Sequence, residues 1–270
     1  MPERKPRLEG KVAIVTGAGS SGQGVGSGRA ISTLFAREGC GVLLVDREAP
    51  RAEETLVGIH EEGGEASVIE ADVTRAGDCE KMVQEAVRRY GRLDILVNNV
   101  GITLPGKVVD VTEEVWDQVM TVNLKSMMLT SKYAVPRMQQ GGGGSIVNLS
   151  SIVAIRSGGG FDSVPYIVSK GGIVSLTISM ASDYGHDNIR ANAILPGFLY
   201  TPMVAGTLSE EARDLRRRTA PLGTEGTAWD VAWAALFLAS DESRWVTGVA
   251  LPVDAGVSIT TPLTMLDRLQ

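Results

Sequence analysis

A chain of 270 residues that is 43% hydrophobic and 21% charged holds enough apolar material for a substantial core, which excludes a disordered chain. Its net charge of −6 gives no electrostatic reason to expect nucleic acid as a partner. Cys40 and Cys79 are too few for a disulfide framework, and with only His60 and His186 beside them no zinc or other metal site is expected.

Met1–Gly10 carries Arg4, Lys5 and Arg7 without the apolar stretch of a signal peptide and reads as a solvated tail. Lys11–Thr16 follows as a short apolar strand. Gly17–Gly28 is a glycine-rich loop, and Arg29–Glu38 has helical spacing through Ile31, Leu34 and Phe35. Gly41–Asp46 is a second buried strand, Ala52–Glu62 a charged helix and Ala66–Asp72 a third strand. Asp78–Tyr90 is a helix, Leu93–Asn98 a fourth strand and Glu113–Gln139 one long helical stretch. Ser145–Ser150 is a fifth strand, Val164–Tyr184 a helix and Ile189–Leu195 a sixth strand. Helical stretches near Met203–Thr219 and Thr227–Ala239 precede a seventh strand, Gly248–Val253.

Short apolar strands alternating with helices predict an α/β fold, a seven-stranded parallel sheet with helices on both faces. A glycine-rich first βα turn makes it doubly wound and Rossmann-like. No composition break divides the chain, so one domain is expected, with 1–9 a flexible tail and 257–270 a C-terminal extension. No apolar run approaches 18 residues, so no transmembrane helix is expected. Both cysteines read as reduced, in cytoplasm.

In the first βα turn, glycines allow a tight bend and close approach of backbone to a pyrophosphate, and the helix start offers free N–H groups and a positive dipole end. Asp46 ends the second strand 18 residues after Gly28. A carboxylate there accepts from both ribose hydroxyls and repels a 2′-phosphate, favouring NAD over NADP. Arg47 beside it pulls the other way, because arginine pairs with phosphate. Asp72 either accepts from an adenine amino group or caps the next helix. Asn98 and Asn99 either line the ligand crevice or make a turn.

Tyr166-Ile167-Val168-Ser169-Lys170 places a phenol and an ammonium on one helix face. A free tyrosine titrates near pH 10, and a nearby ammonium lowers that value. A shift of about three units needs about 4 kcal/mol, which would let the pair move a proton at an alcohol oxygen near pH 7.

Taken in order, these motifs resemble the short-chain dehydrogenase/reductase family over about residues 8–256. They are the Thr16–Gly28 loop, Asp72, Asn98-Asn99-Val100-Gly101, Asn123, Ser151, Tyr166-x-x-x-Lys170, Pro196-Gly197 with Thr201, and Val246-Thr247-Gly248 leading to Val253-Asp254. The resemblance implies that Tyr166 is the general acid/base and that Lys170 tunes it and binds the nicotinamide ribose. It implies that Ser151 bonds the substrate oxygen and that Asn123 holds a relay water. It also implies that Gly17, Ser20, Gly26, Ser27, Gly28, Asp46, Arg47, Asp72, Val73, Asn99, Gly101, Pro196, Gly197, Leu199 and Thr201 surround the cofactor.

The chain departs from the family pattern in four places. The loop carries about five extra residues between Gly17 and Gly26-Ser27-Gly28; Gly26 and Gly28 align with the later family glycines, with Gly22 and Gly24 the rival assignment. Val100 replaces an alanine. Ser151 stands fifteen residues before Tyr166, about two more than is common, and Gly158–Gly160 could absorb the difference; Ser150 and Ser157 are the lesser candidates for its role. A tail follows Gly256. The expected substrate walls are largely apolar, with Ile152, Phe161, Phe198 and Met203 among their residues and only Arg156 and Asp162 charged, which suggests a neutral, hydrophobic secondary alcohol or ketone. Side chains of this kind also serve as core. A 3-oxoacyl reductase using NADPH, and a non-redox or nucleotide-sensing member, are the alternatives. The resemblance further implies a homotetramer or homodimer through the two long helices, where Trp116, Val119, Met127 and Met128 face either a partner or the sheet.

Overall fold

The computed structural model describes residues 5–156, 163–206 and 208–261, with Met203 described by its backbone alone. These residues form a seven-stranded sheet in the order β3-β2-β1-β4-β5-β6-β7, with every neighbouring pair parallel. The strands are β1 (Val12–Thr16), β2 (Gly41–Asp46), β3 (Ala66–Glu70), β4 (Ile95–Asn98), β5 (Gly144–Leu149), β6 (Ile189–Pro196) and β7 (Ala250–Val253). The order reverses direction between β1 and β4, and ligands of such sheets bind outside the carboxyl ends of the strands at that switch.

Helices cover both faces, so the central strands are apolar runs without alternation: all five residues of β1 are buried. On one face α1 (Ser27–Arg37) and α9 (Ala228–Ala239) pack through Ile31, Phe35, Leu236 and Leu238. On the other, α3 (Ala76–Tyr90), α5 (Ser126–Gly141) and α6 (Val164–Tyr184) supply Met82, Val135, Met138 and Met180. The remaining helices are α2 (Ala49–Glu61), α4 (Glu113–Met120), α7 (Pro202–Ala205) and α8 (Glu210–Arg218).

Two expectations are corrected. The stretch Glu113–Gln139 is not one regular helix: α4 and α5 are separated by a π turn over Thr121–Lys125. Such single turns inside helices are frequent at functional sites, and the buried Asn123 lies within this one. The stretch Met203–Thr219 is broken into α7 and α8, and Ser209 caps α8 by accepting from the Ala212 N–H at 3.2 Å. By length and composition alone, α6 together with its closing turn, Val164–Asp187, is long and apolar enough to cross a membrane. Here it packs on the sheet, where Ile173 and Thr177 are buried.

Val119 and Met127 face the interior of the chain, whereas Met128 is exposed. Cys40 and Cys79 are both buried free thiols.

Candidate active site

The cofactor end of the site begins where β1 stops. Gly17 takes φ +63°, the left-handed conformation that glycine adopts at least cost, to turn the chain toward α1. Gly28, in the first turn of α1, lies so close to the loop that a Cβ would sit 1.9 Å from the Gly17 carbonyl oxygen and 2.8 Å from Asn99 Nδ2. Gly26 is the N-cap of α1 and no side chain caps it, so the first-turn N–H groups around Ser27 are left to a ligand. A backbone cradle that a single methyl would fill, at an uncapped helix start, fits a pyrophosphate.

Gly26 donates its N–H to Ser20 Oγ at 2.9 Å, closing residues 20–26 into an arch. Gly26 and Gly28 stand at the helix start, whereas Gly22 and Gly24 lie within this arch. A Cβ at either would meet only Pro202, at 3.7 and 3.6 Å. The extra residues of the loop therefore lean on the first turn of α7, just past Thr201.

At the end of β2, Asp46 Oδ2 accepts from the Gly19 N–H and Oδ1 from the Glu48 N–H, both at 3.1 Å. Each oxygen keeps a lone pair for a further donor. Glu48 is an ion-pair partner of both neighbouring arginines, Arg47 at 3.6 Å and Arg51 at 2.9 Å. Asp72 makes a local turn: its Oδ1 accepts from the Thr74 N–H at 2.9 Å and the Thr74 hydroxyl at 2.7 Å. Burial works against ionisation of Asp72, but the Thr74 donors with Arg75 and Arg47 hold its carboxyl below the usual range. The N-cap of α3 is Arg75, so Asp72 is not the cap. The Val73 side chain is buried, and its carbonyl accepts from Cys79 Sγ at 3.2 Å, leaving its N–H as the group open to a cofactor.

The two asparagines ending β4 divide their work. Asn99 clamps the glycine loop, donating Nδ2 to the carbonyls of Thr16 and Gly17 at 3.1 and 3.0 Å. Asn98 turns inward, donating to Asn148 Oδ1 at 2.9 Å and accepting from Thr130 Oγ1 at 2.6 Å. It lines no crevice. Near the centre, a Cβ on Gly101 would meet Lys170 Nζ at 3.3 Å and Asn123 Oδ1 at 3.6 Å.

Asn123 is fully buried. Its Oδ1 accepts from the Ile102 N–H at 2.8 Å, and its Nδ2 donates to the Ile102 carbonyl at 2.9 Å and to Ser169 Oγ at 3.0 Å. The side chain for which a relay-water role is expected also clips the loop after β4 to α6.

Ser151 follows β5 and caps a short turn, its Oγ accepting from the Val153 N–H at 3.4 Å. Ser150 is spent elsewhere, donating to the Lys170 carbonyl at 2.8 Å. Tyr166 stands in the first turn of α6, hydrogen-bonded to the Ser151 hydroxyl. The Lys170 ammonium lies 5.4 Å from the Tyr166 ring centroid and donates to the Leu149 carbonyl at 2.8 Å. The expected depression of the tyrosine pKa is not what the geometry produces. Burial pushes the Tyr166 phenol up, only partly offset by Ser151, and burial pulls Lys170 down to about 8. The low dielectric that should strengthen the pair first penalises each charged form.

Beyond β6, Gly197 donates to the Val253 carbonyl at 2.9 Å, and a Cβ on it would sit 2.6 Å from Asp254 Cβ. Pro196 ends β6, Leu199 bridges to Gly226, and Thr201 is the N-cap of α7. Ile152 is buried against Ala193 and Leu195, so it backs the site instead of opening onto it. Phe161, Asp162, Ser157, Gly158–Gly160 and the Met203 side chain lie outside the described residues.

Sequence reasoning missed two cations. Arg213 stacks on Tyr200 at 3.7 Å and Arg216 on Phe198 at 5.2 Å, both from α8. The arginine pattern of α8 was visible, but nothing local connects it to a segment some fifteen residues away.

Comparisons with known proteins agree with this architecture. A family model described as Enoyl-(Acyl carrier protein) reductase matches residues 22–258. The chain is 40% identical to the 3-oxoacyl-[acyl-carrier-protein] reductase FabG of Thermotoga maritima, over 94% of this chain and all of that protein. It is 37% identical to the 7alpha-hydroxysteroid dehydrogenase of Clostridium sardiniense, over 95% and 96% of the two chains. A crystal structure assigned to the short-chain dehydrogenases/reductases, from Burkholderia xenovorans, superposes with a TM-score of 0.90 at 42% identity, covering 95% and 99% of the chains.

Proposed function

The chain belongs to the short-chain dehydrogenase/reductase family of NAD(P)-linked oxidoreductases, and we propose that it transfers hydride between NAD and a hydrophobic secondary alcohol or ketone. The observation that carries this reading is the Tyr166 phenol, bonded to Ser151 and flanked by Lys170, beneath a glycine cradle that fits a pyrophosphate. A bound nicotinamide supplies the hydride acceptor or donor. The chain's own residues do the rest. Tyr166 Oη takes the alcohol proton during oxidation or returns it during reduction, Ser151 holds the substrate oxygen, and Lys170 binds ribose hydroxyls while supplying positive charge.

NAD is favoured over NADP by Asp46, whose oxygens are fixed by two backbone donors, and by Glu48, which engages both arginines nearby. Fluorescence titration with NADH and NADPH tests this directly. NADH is expected to bind about tenfold or more tightly than NADPH, and Asp46→Ala to erase most of that preference. Tighter NADPH binding to the unaltered protein would overturn the cofactor assignment.

The hydroxysteroid dehydrogenase relative supports an apolar secondary alcohol. The FabG relative supports a second reading, reduction of a 3-oxoacyl substrate with NADPH. A set of Ser151, Tyr166 and Lys170 brought together argues against a purely nucleotide-sensing role. The exposed apolar side chains Met128, Val168 and Ile178 on α5 and α6 support assembly into a homodimer or homotetramer. We assign the working compartment to the cytoplasm on the two buried free thiols.

A further inference from the structure

Helix α8 carries four arginines, and three of them have carboxylate partners. Arg213 binds Glu225 through two hydrogen bonds, at 2.9 and 2.6 Å. Arg217 and Arg218 both pair with Asp214. Arg216 has no carboxylate within ion-pair distance among the described residues. It is half-buried, and its guanidinium carbon lies 5.2 Å from the Phe198 ring centroid. Burial lowers its affinity for the proton, with Glu225 acting weakly the other way. A cation drawn partly out of water without an anion is unfavourable, and a contact with an aromatic face offsets only part of that.

The position of Phe198 gives this cation a purpose. Phe198 is the second residue past β6, and Ser151 the second past β5. The two strand ends are neighbours, since the Ser150 N–H donates to the Ile194 carbonyl at 2.8 Å. Phe198 and Ser151 therefore leave adjacent strands at the carboxyl edge of the sheet, where ligands of this fold bind. Arg156, the cation to which the sequence points, is engaged otherwise. Its Nε donates to the Ser258 carbonyl at 2.8 Å and its Nη1 to the Ile155 carbonyl at 3.1 Å.

Resting on the oxidoreductase reading above, we infer that the substrate carries a carboxylate remote from its reacting carbon, and that Arg216 is the residue that binds it. A guanidinium offers a carboxylate two parallel N–H donors, which an ammonium does not. The substrate class narrows to hydroxy acids and oxo acids with an apolar middle.

The test compares hydroxy acids of graded chain length with their methyl esters, in the same assay with NAD. The unaltered enzyme is expected to show an acid-to-ester ratio in kcat/KM of about ten or more at the best length. Arg216→Gln is expected to bring that ratio to about one, and Arg216→Lys to keep part of it. A purely structural role for Arg216 would lower both substrates together and leave the ratio unchanged, which would overturn the inference. Oxidation of esters in preference to acids would also overturn it while leaving the oxidoreductase reading standing. Oxidation of neither at any length, by protein that binds NADH, would overturn both.

Discussion

The Lys170 ammonium lies over the Tyr166 ring, 5.4 Å from its centroid, and its hydrogen bond goes to the carbonyl of Leu149. The cation is thus directed at the backbone, and burial holds the phenol above its ordinary value. A general base must be ionised to accept a proton, so kcat/KM for alcohol oxidation should rise with pH through an alkaline limb. Ketone reduction needs the protonated phenol and should decline over the same range. Tyr166→Phe should lower kcat by about 10²–10⁴-fold and remove that limb, with NADH affinity little changed. Near-normal turnover in the variant would rule out Tyr166 as the acid/base.

Lys170 makes a separate prediction about stability. In the fold it gives up its proton near pH 8, whereas in the unfolded chain it does so at 10.5. Between these values the unfolded state binds more protons, so stability rises with pH across that window. The cost of burying the ammonium is therefore fully present below about pH 8. A shift of this size corresponds to about 3 kcal/mol, part of which the Leu149 bond is already offsetting. Lys170→Met should stabilise the cofactor-free protein by about 1–3 kcal/mol at pH 7, and the advantage should vanish toward pH 10.5. Urea unfolding at both pH values checks it, and a destabilised variant at pH 7 would refute it.

Asn123 satisfies both backbone groups of Ile102 from within the π turn. Asn123→Ala leaves those half-buried groups without that partner, at a cost of about 1–3 kcal/mol in unfolding free energy. The loop after β4 loses its tie to α6, so KM for substrate should rise along with the loss of stability. A variant with wild-type unfolding and KM would show that water replaces the amide at little cost.

The sheet was legible because parallel strands buried on both faces leave short apolar runs. Gly41–Asp46 and Val164–Tyr184 have the same limits in sequence and structure. The π turn was not legible, because Val119 and Met127 keep the apolar spacing running through the break. The inward turn of Asn98 was also hidden. It depends on Thr130 and Asn148, tens of residues away, and a strand-end asparagine looks the same whether it faces a ligand or a core. Polar contacts across elements decide such residues, and hydrophobic periodicity carries no record of them. The residues brought together around Tyr166 were marked by their order along the chain, whereas the pairing of Phe198 with Arg216 had no mark at all.

The extended glycine loop is the part of the cofactor cradle where two alignments competed, and a pair of alanine substitutions separates them. A methyl at Gly28 would have to occupy space 1.9 Å from the Gly17 carbonyl oxygen, which neither α1 nor the loop can yield without opening the cradle. A methyl at Gly22 would reach Pro202 at 3.7 Å, an ordinary contact. Gly28→Ala should therefore weaken NADH binding by about 100-fold or more, corresponding to about 3 kcal/mol, while Gly22→Ala should change it by less than about threefold. Circular dichroism separates lost binding from lost fold. Because Gly22 leans on α7 and not on α1, any effect of its substitution should appear in KM for the alcohol before it appears in NADH affinity. The reverse result, with Gly28→Ala tolerated and Gly22→Ala defective in NADH binding, would place the pyrophosphate in the arch and not at the start of α1.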